Sequence, residues 1–230
     1  AFLTKTWLNS ISHEPVEKCL TPSGYMLASF TRPSLGGGIA ILYKDSLHPL
    51  LSFSQSLPFS HPSFEYVEVS YQSTPHPITF SCVYRPPPSS ANKLTTSMFL
   101  SDFDQLLDHY SLLPGNLLIL SDINVHYDNP DSYDTKHICS SLSNHNMTQH
   151  ISEPTRQAVH TLDWIISRDH ANPASCNYLV LSTSTTSALP SDHSAILCFL
   201  DVSPPTRTRH TVTRRNLKSI NLSTFSSDAS

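Results

Sequence analysis

At 230 residues the chain is long enough to bury a proper core, as one large α/β or β domain or two small ones. Apolar residues make up 38% and charged residues 14%, with 18 Pro and 5 Gly; this argues against a helical bundle with a Glu- and Lys-rich surface, and recurring apolar runs argue against disorder throughout. The net charge of −4 argues against holding nucleic acid through a broadly basic surface, leaving a local basic rim open.

The five cysteines, Cys19, Cys82, Cys139, Cys176 and Cys198, are far apart and odd in number, which suggests neither a disulfide framework nor a C-x-x-C zinc site. Reduced thiols in a nuclear or cytoplasmic, non-secreted protein are expected. No apolar stretch approaches membrane-spanning length and no signal-peptide pattern opens the chain. The start at Ala1, directly in an apolar segment, reads as a fragment whose upstream part is absent.

Along the chain, Gly36-Gly37-Gly38 runs into Ile39-Ala40-Ile41-Leu42-Tyr43 and reads as a turn feeding a buried strand. A phosphate-cradling loop is the alternative, but neither the G-x-G-x-x-G spacing nor a following G-K-[ST] is there. Phe64 to Tyr71 and Ile78 to Tyr84 read as neighbouring strands, with Ile78, Phe80, Cys82 and Tyr84 on one face. Phe99, Phe103, Leu106, Leu107 and Tyr110 recur at helical spacing, with Asp102, Asp104 and Asp108 expected outward. The short apolar run Leu117 to Leu120 predicts a central strand covered on both faces. A weaker helix is expected around Ile138 to Met147, and strands at Leu162–Ile166, Tyr178–Leu181 and Ala195–Leu200. Many strands with few interspersed helices predict an α/β sandwich of two packed sheets. From Val202 the chain turns to Pro204-Pro205, then Arg207, Arg209, Arg214, Arg215 and Lys218, an exposed basic linker.

Three places carry groups with chemical potential. Asp122 and Asn124 emerge from the end of the apolar strand, and strand alternation would turn both to one side, where a carboxylate and an amide can hold a phosphate oxygen and an attacking water. Both residues are also ordinary turn formers. His193, in Ser191-Asp192-His193-Ser194, supplies an imidazole whose unperturbed value lies near neutrality, although any one of 13 histidines is more readily a surface residue than a catalyst. Asp163 lies in the apolar stretch Thr161-Leu162-Asp163-Trp164-Ile165-Ile166 and needs a partner, which an imidazole would provide.

Taken in order, Thr4-Lys5-Thr6-Trp7-Leu8, Gly36 to Tyr43, Phe64-Glu65-Tyr66-Val67, Val83-Tyr84-Arg85-Pro86-Pro87, Ile119 to Asn124, Leu162-Asp163-Trp164-Ile165 and Ser191-Asp192-His193-Ser194 resemble successive motifs of the LINE-type (non-LTR) retrotransposon endonuclease, in the endonuclease/exonuclease/phosphatase superfamily. Each motif is weak; seven in sequence are specific. The resemblance implies a DNase I-like two-sheet α/β sandwich over residues 1–202, here lacking its first strand, and a linker over 203–230 toward a reverse transcriptase domain of the same polyprotein. It implies Mg²⁺-dependent nicking of DNA to prime reverse transcription. Carried over, Asp122 orients the attacking water, Asn124 binds phosphate, His193 contacts the scissile phosphate, Asp163 holds its imidazole, Asp192 lies beside the metal and Tyr84 supports the transition-state charge.

Two positions depart from that pattern. Lys5 stands where the family has Glu, its principal metal ligand; an ammonium about 4 Å from Mg²⁺ is repelled by roughly 2 kcal/mol in water-like surroundings and about 8 kcal/mol at an effective dielectric near 20. Impaired metal binding and little activity are expected from Lys5, together with the absent first strand. In the family that strand carries an Asn of the site, and its loss is expected to expose strand edges and weaken the fold. Ser121 replaces the usual Gly and is expected to crowd the backbone. The alternatives are a non-catalytic retrotransposon remnant and a small-molecule phosphoesterase of the same fold. A Ser-His-Asp hydrolase fits less well, because Ser191 and Ser194 have no G-x-S-x-G setting.

Overall fold

The computed structural model describes residues 1–8, 13–30, 36–73, 77–156, 159–168, 180–186 and 191–200. The expected linker 203–230 and residues 178–179 of one expected strand lie outside them.

The centre of the molecule is a six-stranded mixed sheet in the order β4-β5-β6-β7-β9-β8, formed by β4 (Leu51–Ser54), β5 (Glu65–Tyr71), β6 (Ile78–Tyr84), β7 (Asn116–Asp122), β8 (Met147–Gln149) and β9 (Asp163–Arg168). β6 and β7 are parallel, joined by the crossover helix α2 (Thr96–Ser111), and the other pairings are antiparallel. A parallel pair needs such a crossover, since a tight turn cannot return the chain in the same direction. Thr95 caps α2 by accepting from the Met98 amide, and Ser132 caps α3 (Tyr133–Asn144) by accepting from the Thr135 amide.

One face of this sheet packs on the two helices. Val83, Leu117, Ile119, Trp164 and Ile166 meet Phe99, Phe103, Leu106, Leu107 and Tyr110 of α2 and Ile138 and Leu142 of α3. The other face carries two smaller sheets, because residues of opposite parity on the same strands are also apolar. Val67, Val69, Cys82 and Tyr84 pack on Ile39, Ile41 and Tyr43 of the sheet β1-β3-β2, made of β1 (Phe2–Thr4), β3 (Ile39–Lys44) and β2 (Tyr25–Phe30). Ile78, Leu118 and Ile165 pack toward Ile196, Cys198 and Leu200 of the pair β10 (Val180–Thr186) and β11 (Ala195–Leu200). The expected α/β architecture of packed sheets is therefore present. A short helix α1 (His13–Leu20), and the strands β1, β2, β4 and β8, were not legible in the sequence pattern.

Several expectations are corrected. Asp102 faces inward, 8% exposed, and accepts from the Ser63 amide at 3.2 Å and the Ser63 hydroxyl at 2.6 Å; a buried carboxylate is tolerated where donors meet it. The second helix runs Tyr133–Asn144 rather than around Ile138 to Met147, because the Ser132 cap starts it early and Met147 belongs to β8. Ser121 does not crowd the sheet: its hydroxyl donates to the Trp164 carbonyl at 3.3 Å, and the β7–β9 register continues through it. Cys19, Cys82, Cys139 and Cys198 are free thiols. Among the described residues no helix is long and apolar enough to cross a membrane.

Candidate active site

The site is built as a row across four strands of the central sheet. Glu65 pairs with Tyr84, Tyr84 with Asp122, and Asp122 with Asp163. Directly paired residues of a sheet point to the same face, here the one covered by the small sheets. Sequence reading identified three of these residues but not Glu65, whose place in the row depends on the β5–β6 register. Glu65 accepts a hydrogen bond from the Gly38 amide at 2.6 Å.

The backbone conformation of this run explains the triple glycine. Gly36, Gly37 and Gly38 have φ of 84°, 78° and 89°, a region that side chains rarely adopt. A Cβ on Gly38 would lie 2.5 Å from the Thr6 hydroxyl. The run is a turn into β3, as expected; its carbonyls accept from the Thr6 and Trp7 amides at 3.2 and 2.9 Å. It thus holds the segment after β1 against the sheet. Lys5 sits in that segment with φ of 54°.

Asp122 is 2% exposed and neither carboxylate oxygen has a hydrogen-bond partner. Lys5 Nζ approaches Oδ2 to 3.5 Å, an ion pair without hydrogen-bond alignment, and lies 5.8 Å from the centre of the Tyr84 ring. Burial pushes the Asp122 carboxyl up to about 6, Asp163 pushes in the same direction, and Lys5 and His193 oppose. His193 comes from the segment before β11; its Nδ1 meets Asp163 Oδ2 at 2.9 Å, while its Nε2 is buried with no hydrogen-bond partner. The hydrogen bond to Asp163 raises the imidazole above its ordinary value against the opposing effect of burial. The pairing of Asp163 with an imidazole is the one its apolar strand demanded. No serine hydroxyl meets His193 Nε2 among the described residues, which removes the geometric basis for a Ser-His-Asp arrangement.

The remaining expected residues lie at the edges. β7 ends at Asp122, and Asn124 has φ of 50°, so strand alternation does not extend to it. Its amide donates to the Arg85 carbonyl at 2.8 Å and ties the loop after β7 to the end of β6. Arg85 itself is buried, stacked 4.4 Å from the centre of the Phe99 ring and bonded to Thr96. Asp192 is 56% exposed and paired with Arg156, at 2.8 Å from Nη2 and 3.0 Å from Nε. That pair holds its carboxyl below the ordinary range and on the rim. Arg156, which sequence reading passed over, bridges by its backbone to both His160 and His193.

Asp122, Asp163 and His193 each offer a ligand atom within 4.8 Å of the others. The two carboxylates are the hard oxygen donors that Mg²⁺ takes. The Lys5 ammonium, however, already supplies positive charge 3.5 Å from Asp122 Oδ2, and an ion bound there would face it at close range. As they stand, the residues do not fit a divalent cation.

No protein-family model matches the sequence, and no curated protein matches it. Solved structures do. The catalytic domain of APE2 from Xenopus laevis is similar at 14% identity and a TM-score of 0.60, over 90% of this chain and 85% of that one. A 3'-5' exonuclease (NExo) from Neisseria meningitidis is similar at 14% identity and a TM-score of 0.57, over 87% and 88%. The endonuclease domain of TRAS1, a telomere-specific non-LTR retrotransposon, is similar at 13% identity and a TM-score of 0.53, over 78% and 81%. At such identities the likeness is one of fold: the chain has the α/β fold of the endonuclease/exonuclease/phosphatase, DNase I-like structures.

Proposed function

We propose that this chain is a DNA-nicking phosphodiesterase domain of a LINE-type retrotransposon polyprotein, with its chemistry disabled by Lys5. Supporting the nuclease reading is the row of Tyr84, Asp122 and Asp163, with His193 hydrogen-bonded to Asp163 at 2.9 Å. In this reading protonated His193 presents Nε2 to a phosphate oxygen, Asp163 fixes the ring through Nδ1, and the Asp122 carboxylate accepts a hydrogen bond from the attacking water. Tyr84 borders the developing charge. Asn124 steadies the loop that would approach the phosphate, and the Arg156–Asp192 pair forms the rim. Residues 203–230 serve as a basic connector toward a reverse transcriptase domain.

The observation that carries the disabled state is the Lys5–Asp122 contact at 3.5 Å. It neutralises the carboxylate that hydrolysis needs and opposes the divalent ion of this reaction class. Supercoiled-plasmid nicking in Mg²⁺ tests the proposal. The native chain is expected to be inert and Lys5→Glu to nick, with Asp122→Ala in the Lys5→Glu background abolishing the gain. Appreciable nicking by the native chain would overturn the disabled state. A folded Lys5→Glu protein that binds DNA and stays inert would overturn the nuclease reading and favour a non-catalytic remnant.

A further inference from the structure

A second cluster of ligating side chains lies outside the Asp122 centre. It joins the segment after β7 to the segment before β9. His160 Nδ1 lies 2.9 Å from Asp128 Oδ2, and His126 Nδ1 lies 3.7 Å from Asp128 Oδ1. The two imidazole rings meet edge to face with centroids 4.4 Å apart, and all three residues bring a donor atom within 4.8 Å of the others.

We propose that His126, Asp128 and His160 form a binding site for a divalent transition-metal ion of the Zn²⁺ class. Two imidazoles and one carboxylate are the donor set of Zn²⁺ and related borderline ions, whereas Mg²⁺ and Ca²⁺ take oxygen. Tetrahedral ligands at Zn²⁺ distances stand roughly 3.4 Å apart. The contacts of 2.9 and 3.7 Å, made to the two oxygens of Asp128, lie on either side of that separation.

The backbone that carries the ligands is already held. The Thr161 amide donates to Asp128 Oδ1 at 2.8 Å, which orients the carboxylate as outer-sphere partners do in metal sites. Thr135 Oγ1 donates to the His126 carbonyl at 2.8 Å, and the Tyr127 amide to the Thr161 carbonyl at 3.0 Å. Partial burial pushes the Asp128 carboxyl up, but the His160 ring and the Thr161 amide outweigh it and hold the group below its ordinary range. The carboxylate is thus ionised at neutral pH. Unlike Asp122, which faces a lysine ammonium, Asp128 faces two imidazoles, whose neutral form is itself a metal ligand. The side chains of His126 and His160 are 46% and 41% exposed, so an ion enters without opening the core and keeps a solvent-facing fourth position.

Such an ion would clip two loops together beside the other centre, because Arg156 bridges by its backbone to both His160 and His193. The site does not depend on the nuclease reading. Its test is titration of the chelator-treated full chain with Co²⁺ followed by Zn²⁺. Visible d–d bands of a tetrahedral site are expected at one equivalent of Co²⁺, with bleaching by Zn²⁺ and a higher Tm. His126→Ala and His160→Gln are each expected to lower Co²⁺ affinity beyond the roughly 10–100-fold typical of a lost supporting contact. His193→Gln and Asp122→Asn are expected to leave the bands intact. If His160→Gln impairs folding by freeing Asp128, His126→Ala decides, since its ring is nearly half exposed. Absence of bands in the native chain, their persistence in His126→Ala, or their loss in His193→Gln would overturn the proposal.

Discussion

A carboxylate that is 2% exposed and has no hydrogen bond, as Asp122 is, resists ionisation. Moving it from 3.8 to about 6 costs about 3 kcal/mol at neutral pH. The folded state then binds the proton more tightly than the unfolded state, so stability falls as pH rises from about 4 to about 6. Asp122→Asn is expected to remove that slope and to stabilise the chain at pH 7 by about 1–3 kcal/mol, read as the difference between urea midpoints at pH 4 and pH 7. An unchanged slope would mean that Asp122 is hydrated rather than desolvated. His193 acts in the same sense: its stabilising bond to Asp163 is fully present below pH 6.5 and is lost as pH rises through its raised folded value. Lys5→Glu places a second anion beside Asp122, and in chelator it is expected to lower stability by about 1–2 kcal/mol. Mg²⁺ should recover that loss in Lys5→Glu and do nothing for the native chain, which thermal unfolding with and without Mg²⁺ reads directly.

Helix α2 shows how an element was legible without all its contacts. Phe99, Phe103, Leu106, Leu107 and Tyr110 form its buried stripe, as their spacing requires. Asp102 lies on the edge of that stripe, and whether it faced water or protein depended on Ser63, 39 residues earlier in the chain. Asp102→Ala leaves the Ser63 amide and hydroxyl unpaired and is expected to cost about 2–3 kcal/mol in urea unfolding. Ser97→Ala, on the same helix, should change stability by less than about 0.5 kcal/mol. Strand β7 behaves alike: its apolar run predicted a central strand, and the helices and small sheets cover its two faces. Strands β1, β4 and β8 escaped notice because at three or four residues they carry too little alternation to register.

In the whole molecule, the central sheet packs on α2 and α3 with one face and on the small sheets with the other. Ile119→Ala, in the sheet–helix core, is expected to cost about 2–5 kcal/mol, and Leu112→Ala, 85% exposed at the end of α2, less than about 0.5 kcal/mol. Equal costs in chemical denaturation would argue that the helices do not pack on the sheet as described. The order of apolar runs, the glycine turn, the stripe of α2 and the pairing need of Asp163 all follow from local period and local chemistry, so the sequence pattern by itself determined the fold class and singled out Asp122, Asp163 and His193, while Tyr84 and Lys5 entered only through the resemblance to the LINE-type endonuclease. Only the tertiary structure decided that Glu65, Tyr84, Asp122 and Asp163 share one row, that Lys5 turns its ammonium to Asp122, that Asp192 belongs to Arg156, and that His126, Asp128 and His160 converge. Strand register, a positive φ and loop approach set those contacts, and each depends on residues far apart in the chain whose spacing carries no local signal.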